Sequence, residues 1–455
     1  MNISSLFCWQ GKTIGLLKRG IILKISMIAA IYFWDVAAGS LGMTSGGNMH
    51  HSGHVASLSH RIDNNLSEIE EFSQLEENIR NLIGRYDIKG ASIAVTKDEK
   101  LVYAKGIGYA DKERGEKVEP SHRFRLASVS KLITAITIMK MHEEGLLDID
   151  DRVFGTEGIL NDSLYGDYAD TRVENIRVRH LLNHSGGWNR RFGDHMFMPD
   201  LVAREMNADK PVEVSDIIRF ALSKRLHFTP GSRTSYSNLG YAILGKVIEK
   251  VSGESYESYV RSFILEPLGI YNMEIGSSMY SGENEVTYYE HGNIPKALSI
   301  CGSGEKVMRS YGGNDIEALG AAGGWIAPPS EIMKLIVAVD GNPHVPDILS
   351  EESIELMTNP SFSGGHTFGW RGTNGRGRWW RTGTFAGTFA LVMRQNNGIN
   401  WMVAFNTSTW KGSAIASEVR WEVQTGLNSV GRWPDYDLFY HFDNMPFIYN
   451  NLASN

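Results

Sequence analysis

The chain has 455 residues, 42% hydrophobic and 21% charged, the proportions of a soluble globular protein with material for a large core. Lys and Arg number 45 against 52 Asp and Glu, giving a net charge of −7. No long basic run occurs, which excludes a nucleic-acid binder built on a basic patch.

At the N-terminus, Lys12, Lys18, Arg19 and Lys24 lead into the apolar run "ISMIAAIYFW" (Ile25–Trp34). Small residues follow at Val36 and Ala38, the pattern of an export signal. Residues 1–38 therefore read as a signal peptide or membrane anchor, and export to the periplasm or the cell exterior is expected. Any membrane contact is expected through this segment only. Residues 39–64 are rich in Gly, Ser and His and read as a flexible linker. His50, His51, His54 and His60 have no acidic or cysteine neighbour, so no metal site is assigned to them. Loss of a leader carrying Cys8 would leave Cys301 without an internal partner, and the frame "ALSICGSGEK" carries no thiol-catalysis signature.

From Asn65 to Tyr86, apolar residues at Leu66, Ile69, Phe72, Leu75, Ile79, Leu82 and Ile83 predict an amphipathic helix. Two β-rich runs then flank "KDEK", predicting a hairpin over Ala91–Asp111. A second hairpin is predicted over Phe389–Ser408 around "NNG", and a closing helix over Ala414–Leu427. Most of the sequence between the hairpins is helical or loop. This order predicts an α+β fold: an antiparallel sheet flanked by helices, plus a mainly helical lobe, with the site in the cleft between them. The domain is placed at 65–427, with a C-terminal tail over 428–455.

Ser128 and Lys131 open an apolar run, "LITAITIM". In a helix, residues three apart share a face, and an all-round apolar helix is buried. Burial lowers a lysine's pKa, so Lys131 is placed to help remove the proton of an otherwise weak Ser128 nucleophile. A Ser–His–Asp hydrolase is disfavoured because no G-x-S-x-G elbow occurs. His184, in "LLNHSGGW", reads as structural support for the cleft wall.

Two further elements stand downstream: Tyr236-Ser237-Asn238, and Arg381-Thr382-Gly383 in "RWWRTGTFAGTFALVM". With Ser128 and Lys131 they resemble the three motifs of the class C β-lactamase family, which includes D-alanyl-D-alanine carboxypeptidases, D-aminopeptidases and family VIII esterases. "RVRHLLNHSGGW", "EPLGI" and "AAGGWIAPPSEIMKL" add to the resemblance, which runs over about Leu66–Leu427.

The resemblance implies a β-lactamase/transpeptidase-like fold and an exported serine hydrolase working through an acyl-enzyme on a β-lactam or D-Ala peptide. A carboxylesterase, or a β-lactam-binding protein that does not turn over, is the alternative. It implies Ser128 as the acylated nucleophile, Lys131 and Tyr236 as the proton-moving pair, and Asn238 as a partner of the substrate amide or of Lys131. The main-chain N–H groups of Ser128 and Thr384 would form the oxyanion hole, beside Thr382 and Gly383. Which of Lys131 and Tyr236 is the base stays open. The partner implied is a small-molecule or peptide substrate, with no cofactor and no metal. Arg381 departs from the usual Lys or His. Its fork suits a carboxylate, so Arg371, Arg376, Arg378 and Arg381, with Trp370, Trp379 and Trp380, read as a substrate wall.

Overall fold

The computed structural model describes residues 62–292, 294–359 and 366–440. The leader at 1–38 and the linker histidines lie outside the described residues. The first hairpin pairs β1 (Gly90–Lys97) with β2 (Lys100–Asp111), and β3 (Glu116–Lys117) adds to its edge. Its turn residues Asp98 and Glu99 both take the left-handed conformation, φ 48° and 66°, which matches the twist of a two-residue hairpin. β4 (Phe124–Arg125), β5 (Glu274–Ile275) and β8 (Trp325–Ala327) make a small second sheet, while β6 (Ala297–Leu298) and β7 (Lys306–Val307) pair with each other. β9 (Gly372–Thr373), β10 (Trp379–Phe385), β11 (Thr388–Arg394) and β12 (Ile399–Phe405) complete the large sheet. Its order is β3-β2-β1-β12-β11-β10-β9, antiparallel throughout. The two ends of the domain meet where β1 pairs with β12, from Ala91 opposite Phe405 to Lys97 opposite Ile399.

Side chains alternate across the sheet, and both faces are covered. Ile93, Val95, Trp401, Val403 and Phe405 pack with Phe72, Leu75, Ile79 and Leu82 of the N-terminal helix and Val419 and Val423 of the closing helix. Ala94, Ala390, Met402 and Ala404 belong to the core beneath the helical layer on the other face. The closing helix spans Ala416–Asn428.

The N-terminal helix begins at Ser73, later than the periodicity predicts; short 3₁₀ turns occupy Asn64–Ser67 and Glu70–Phe72. Polar side chains there bind other backbone groups. Asp63 accepts from the N–H groups of Asn65 and Leu66, and Ser67 Oγ accepts from Ala104 N at 3.0 Å.

The middle of the chain supplies the helical layer, in which helices Ser130–Glu143, Asn238–Ser252 and Ile316–Gly323 pack on one another. Among the described residues no helix is long and apolar enough to cross a membrane. Beyond the predicted domain end at 427, the described residues stay on the domain: Leu438 N donates to Leu101 O at 2.8 Å, and Leu438 and Phe439 are buried.

Candidate active site

The site starts from a turn held at both ends. Arg125, fully buried, donates to Ser310 O and Ser277 O, each at 2.7 Å, and lies over the Tyr288 ring. Leu126 N donates to Trp325 O at 2.9 Å, and Trp325 N donates to Ser130 Oγ at 3.2 Å. Between these anchors Ala127 is forced to φ 47°, a conformation costly for a residue with a Cβ. Ser128 follows, within a 3₁₀ turn over Ala127–Val129, and the α-helix begins only at Ser130. The expected helix start at Ser128 is thus replaced by a tighter turn. Because i and i+3 side chains eclipse in that geometry, Ser128 and Lys131 still share a side. Lys131 Nζ is 3.4 Å from Ser128 Oγ.

Every residue from Ser130 to Met139 is buried, so Lys131 is held within the packed helical layer. Its ammonium donates to Asn238 Oδ1 at 2.7 Å and to the main-chain O of Ala322. Burial brings its pKa down to about 8; the Arg381 charge pushes the same way, and Tyr236 opposes it.

Tyr236 and Asn238 flank Ser237, which is extended at φ −137° and caps the helix Asn238–Ser252 by accepting from Gly240 N. Residues 236 and 238 therefore face the same way, toward Lys131. Tyr236 Oη lies 2.6 Å from Ser128 Oγ, much nearer than the lysine. Burial alone would raise this phenol. The Lys131 and Arg381 charges outweigh that and bring it down to about 8.

Arg381 is 1% exposed. Its Nε donates to Ser128 O at 2.7 Å and its Nη2 to Tyr236 Oη at 3.1 Å, while Nη1 is sealed from solvent without a partner. It braces the nucleophile turn and the phenol rather than presenting its fork to a substrate. The expected wall is corrected accordingly. Arg371 and Arg381 line the cavity, Arg376 and Arg378 do not, and Trp370 and Trp379 are core residues.

β9 pairs with β10 only at Trp379 and Trp380, so among the described residues no strand covers the edge of β10 away from β11 from Arg381 onward. That edge lies against the nucleophile turn. A Cβ on Gly383 would overlap Leu126 O and press on Ser128 N, so the close approach requires glycine. Ser128, Thr382 and Thr384 line one cavity of about 320 Å³ together with Tyr236, Asn238 and Arg381.

The sequence does not single out the remaining residues of the site. Asp194 Oδ2 accepts from Asn238 Nδ2 at 2.7 Å, fixing the amide so that its oxygen points at Lys131. Arg190, Phe197, Phe385 and Ser413 line the cavity. His184 is buried with its ring 4.6 Å from that of Tyr236, and its Nδ1 accepts from Ser237 N at 3.2 Å. Burial and surrounding positive charge hold it neutral, in keeping with structural support. Cys301 is half-buried, its Sγ 3.9 Å from Met279 Sδ. Among the described residues no group of three or more His, Cys, Asp or Glu is arranged to hold a metal ion.

A family model described as Beta-lactamase matches residues 75–424. Protein flp of Staphylococcus aureus (strain COL) is 27% identical over 223 residues, covering 49% of this chain and 42% of that protein. Penicillin-binding protein 4* of Bacillus subtilis (strain 168) is 28% identical over 199 residues, 43% of this chain and 39% of its own length. The chain thus spans less than half the length of these curated relatives. A solved structure of the octameric penicillin-binding protein homologue from Pyrococcus abyssi superposes with a TM-score of 0.59 at 27% identity, over 79% of each chain. D-amino acid amidase from Ochrobactrum anthropi SV3 has a TM-score of 0.61 at 21% identity, over 80% of this chain and 99% of the other, a likeness of fold. With the family match running from the N-terminal helix to the closing helix, around the Ser128 cleft, the chain belongs to the beta-lactamase family.

Proposed function

We propose that the chain is an exported serine hydrolase that opens amide or ester bonds through an acyl-enzyme on Ser128, with β-lactams or D-Ala peptides as the substrate class. One observation carries this: Ser128 Oγ stands 2.6 Å from a phenol whose pKa two neighbouring cations bring down to about 8. In this reading Tyr236 is the immediate base, supported by its 2.6 Å approach to Ser128 Oγ against 3.4 Å for Lys131. The charges of Lys131 and Arg381 favour the phenolate of Tyr236, the form that accepts the proton. Ser128 Oγ attacks the carbonyl carbon as its proton passes to Tyr236. The main-chain N–H groups of Ser128 and Thr384 take up the developing oxyanion, a donor of this kind being worth roughly 10² to 10³ in rate. Collapse breaks the bond to the leaving group, which receives the proton from Tyr236. Water then adds to the acyl carbon by the same route and frees Ser128. Export rests on the basic and apolar pattern of residues 1–38, which leaves a cleaved leader and a retained anchor both open.

A carboxylesterase of the same fold is the second reading. The observation favouring it is that Arg381 binds Ser128 O and Tyr236, so the third motif does not itself offer a carboxylate site. Hydrolysis of nitrocefin, D-Ala dipeptides and short p-nitrophenyl esters by wild type and Ser128→Ala tests the proposal. Turnover of at least one class, lost in the variant, supports it, and the class preferred decides between the readings. Turnover that survives in Ser128→Ala refutes it. A β-lactam adduct that persists without turnover would identify a binding protein instead.

A further inference from the structure

A second cavity, of about 310 Å³, lies where three segments meet, around residues 85–89, 289–291 and 407–410. Hydrogen bonds tie the segments together. Tyr289 N donates to Asn406 O at 2.9 Å, Ser408 N to Tyr289 O at 3.0 Å, and Lys89 N to Thr407 Oγ1 at 2.9 Å. The cavity is therefore preformed, and the proposed mechanism does not use it.

Its apolar part is aromatic. Tyr86 is buried, whereas Trp410 is 64% exposed. Their ring centroids stand 6.2 Å apart with the planes inclined by 47°, so the rings make a corner rather than a stack. An exposed tryptophan at a cavity wall keeps a large apolar face in water, and a ligand that covers that face gains from doing so.

Its polar part is charged but balanced. Arg85 pairs with Glu418 and Glu422 at 3.6 and 3.4 Å, Lys89 pairs with Asp87, and Lys411, which lies near both rings, pairs with Glu418. Glu290 accepts from Ser310 Oγ at 2.7 Å. Among the lining residues the charges of Arg85 and Lys89 offset those of Asp87 and Glu290, so the cavity does not select an ion of either sign. The Arg85 guanidinium and the Asp87 carboxylate both reach solvent at its rim, one as donor and the other as acceptor. A saccharide ring is the complement of this lining, since its C–H faces are apolar and its rim carries hydroxyls that both donate and accept.

We infer that this cavity binds a neutral oligosaccharide, with one sugar face on Trp410 and its hydroxyls paired to Arg85 and Asp87. Ser413, three residues after Trp410, lines the catalytic cavity, so one loop borders both sites. The sugar belongs either to a substrate that continues to Ser128 or to a separate glycan held alongside; its binding does not depend on Ser128 being the nucleophile.

The test titrates chitotriose, cellotriose and maltotriose into the full chain by calorimetry. Wild type is compared with Trp410→Ala, Trp410→Phe and Tyr271→Ala, the last removing an exposed aromatic that does not line the cavity. Circular dichroism verifies that each variant is folded. At least one trisaccharide is expected to bind wild type and Tyr271→Ala alike, with a Kd of about 1 mM or tighter. Trp410→Ala is expected to weaken that binding by roughly tenfold or more, and Trp410→Phe to keep part of it. No binding of any of the three by wild type up to about 10 mM, or binding that Trp410→Ala leaves unchanged, would overturn the inference. The rate at which a fluorophosphonate labels Ser128 at saturating trisaccharide separates the two sources. A slower rate shows that the sugar chain reaches into the catalytic cavity, as a substrate's own sugars do, and an unchanged rate shows a glycan bound beside it. Failure of Ser128 to label without sugar would overturn the proposed function and leave the calorimetry to decide this site.

Discussion

Lys131 and Tyr236 set each other's charge, and Arg381 acts on both. The lysine is brought down first by burial, and the phenol against burial by two cations, so both titrate near pH 8 as a coupled set. A bell-shaped kcat/KM profile follows, with its maximum near pH 8. The acid limb appears as Tyr236 gains its proton, and the alkaline limb as Lys131 loses one. Arg381 lowers both groups, so Arg381→Ala moves both limbs to higher pH and cuts kcat/KM at pH 7 by roughly tenfold or more, and Arg381→Lys restores part of it. A profile that keeps its position in Arg381→Ala would show that the guanidinium does not tune the pair. Tyr236→Phe, which keeps the ring and loses the oxygen, is expected to lower kcat by roughly 10² to 10⁴ at every pH, measured on the best substrate of the panel. A loss below tenfold would transfer the base role to Lys131.

Among the elements, the meeting of β10 with the nucleophile turn is the joint most sensitive to a single atom. Gly383→Ala places a Cβ against Leu126 O and Ser128 N, so either the strand or the turn must withdraw. A displacement of about 1 Å is worth roughly 10² in rate, and fluorophosphonate labelling of Ser128 is expected to slow by that much with the fold retained by circular dichroism. Labelling at the wild-type rate would mean that the joint has slack. What the sequence discloses follows the same division between local and distant. The Ser128–Lys131 spacing and the buried helix behind it are local and legible, as are both hairpins, through period-two alternation and the Asn-Asn-Gly turn. Tyr236, Asn238 and Arg381 are legible only through their motifs. Arg190 and Phe197 enter from three-residue 3₁₀ turns, and Asp194 from the cap of the second, all too short to show a periodicity; Asp194 meets Asn238 across 44 residues of chain. The direction of Arg381 is not legible, because residue type does not reveal which way a guanidinium turns at a strand edge.

At the scale of the whole molecule, the candidate site and a cluster of carboxyls raised by burial lie at opposite ends of the sheet. The site lies at the Phe385 end of β10. The other end, where β10 pairs Trp379 with Arg394, holds an acidic cluster. Glu99 from the first hairpin turn accepts from His344 N and Val345 N, and Asp340 accepts from Asn400 Nδ2 at 2.7 Å. Burial raises Glu99, Asp340 and Asp347, the last to about 6. A carboxyl whose pKa rises on folding binds more protons in the native state, so its contribution is complete below the unfolded value near 4 and is lost as pH rises through the folded value. Asp347→Asn removes that titration and keeps an acceptor for Gly341 N. Its Tm is expected to exceed that of wild type by about 2 °C at pH 8, with little difference at pH 4.5. A larger gain at pH 4.5 than at pH 8 would reverse the sign of this account.

The most direct measurement of the central claim is intact mass after brief exposure of wild type, Ser128→Ala and Tyr236→Phe to a fluorophosphonate, with peptide mapping of the adduct. The account predicts a single adduct on Ser128 in wild type, none in Ser128→Ala, and formation slowed by orders of magnitude in Tyr236→Phe. An adduct that persists in Ser128→Ala, or maps to another residue, would contradict the assignment of the nucleophile.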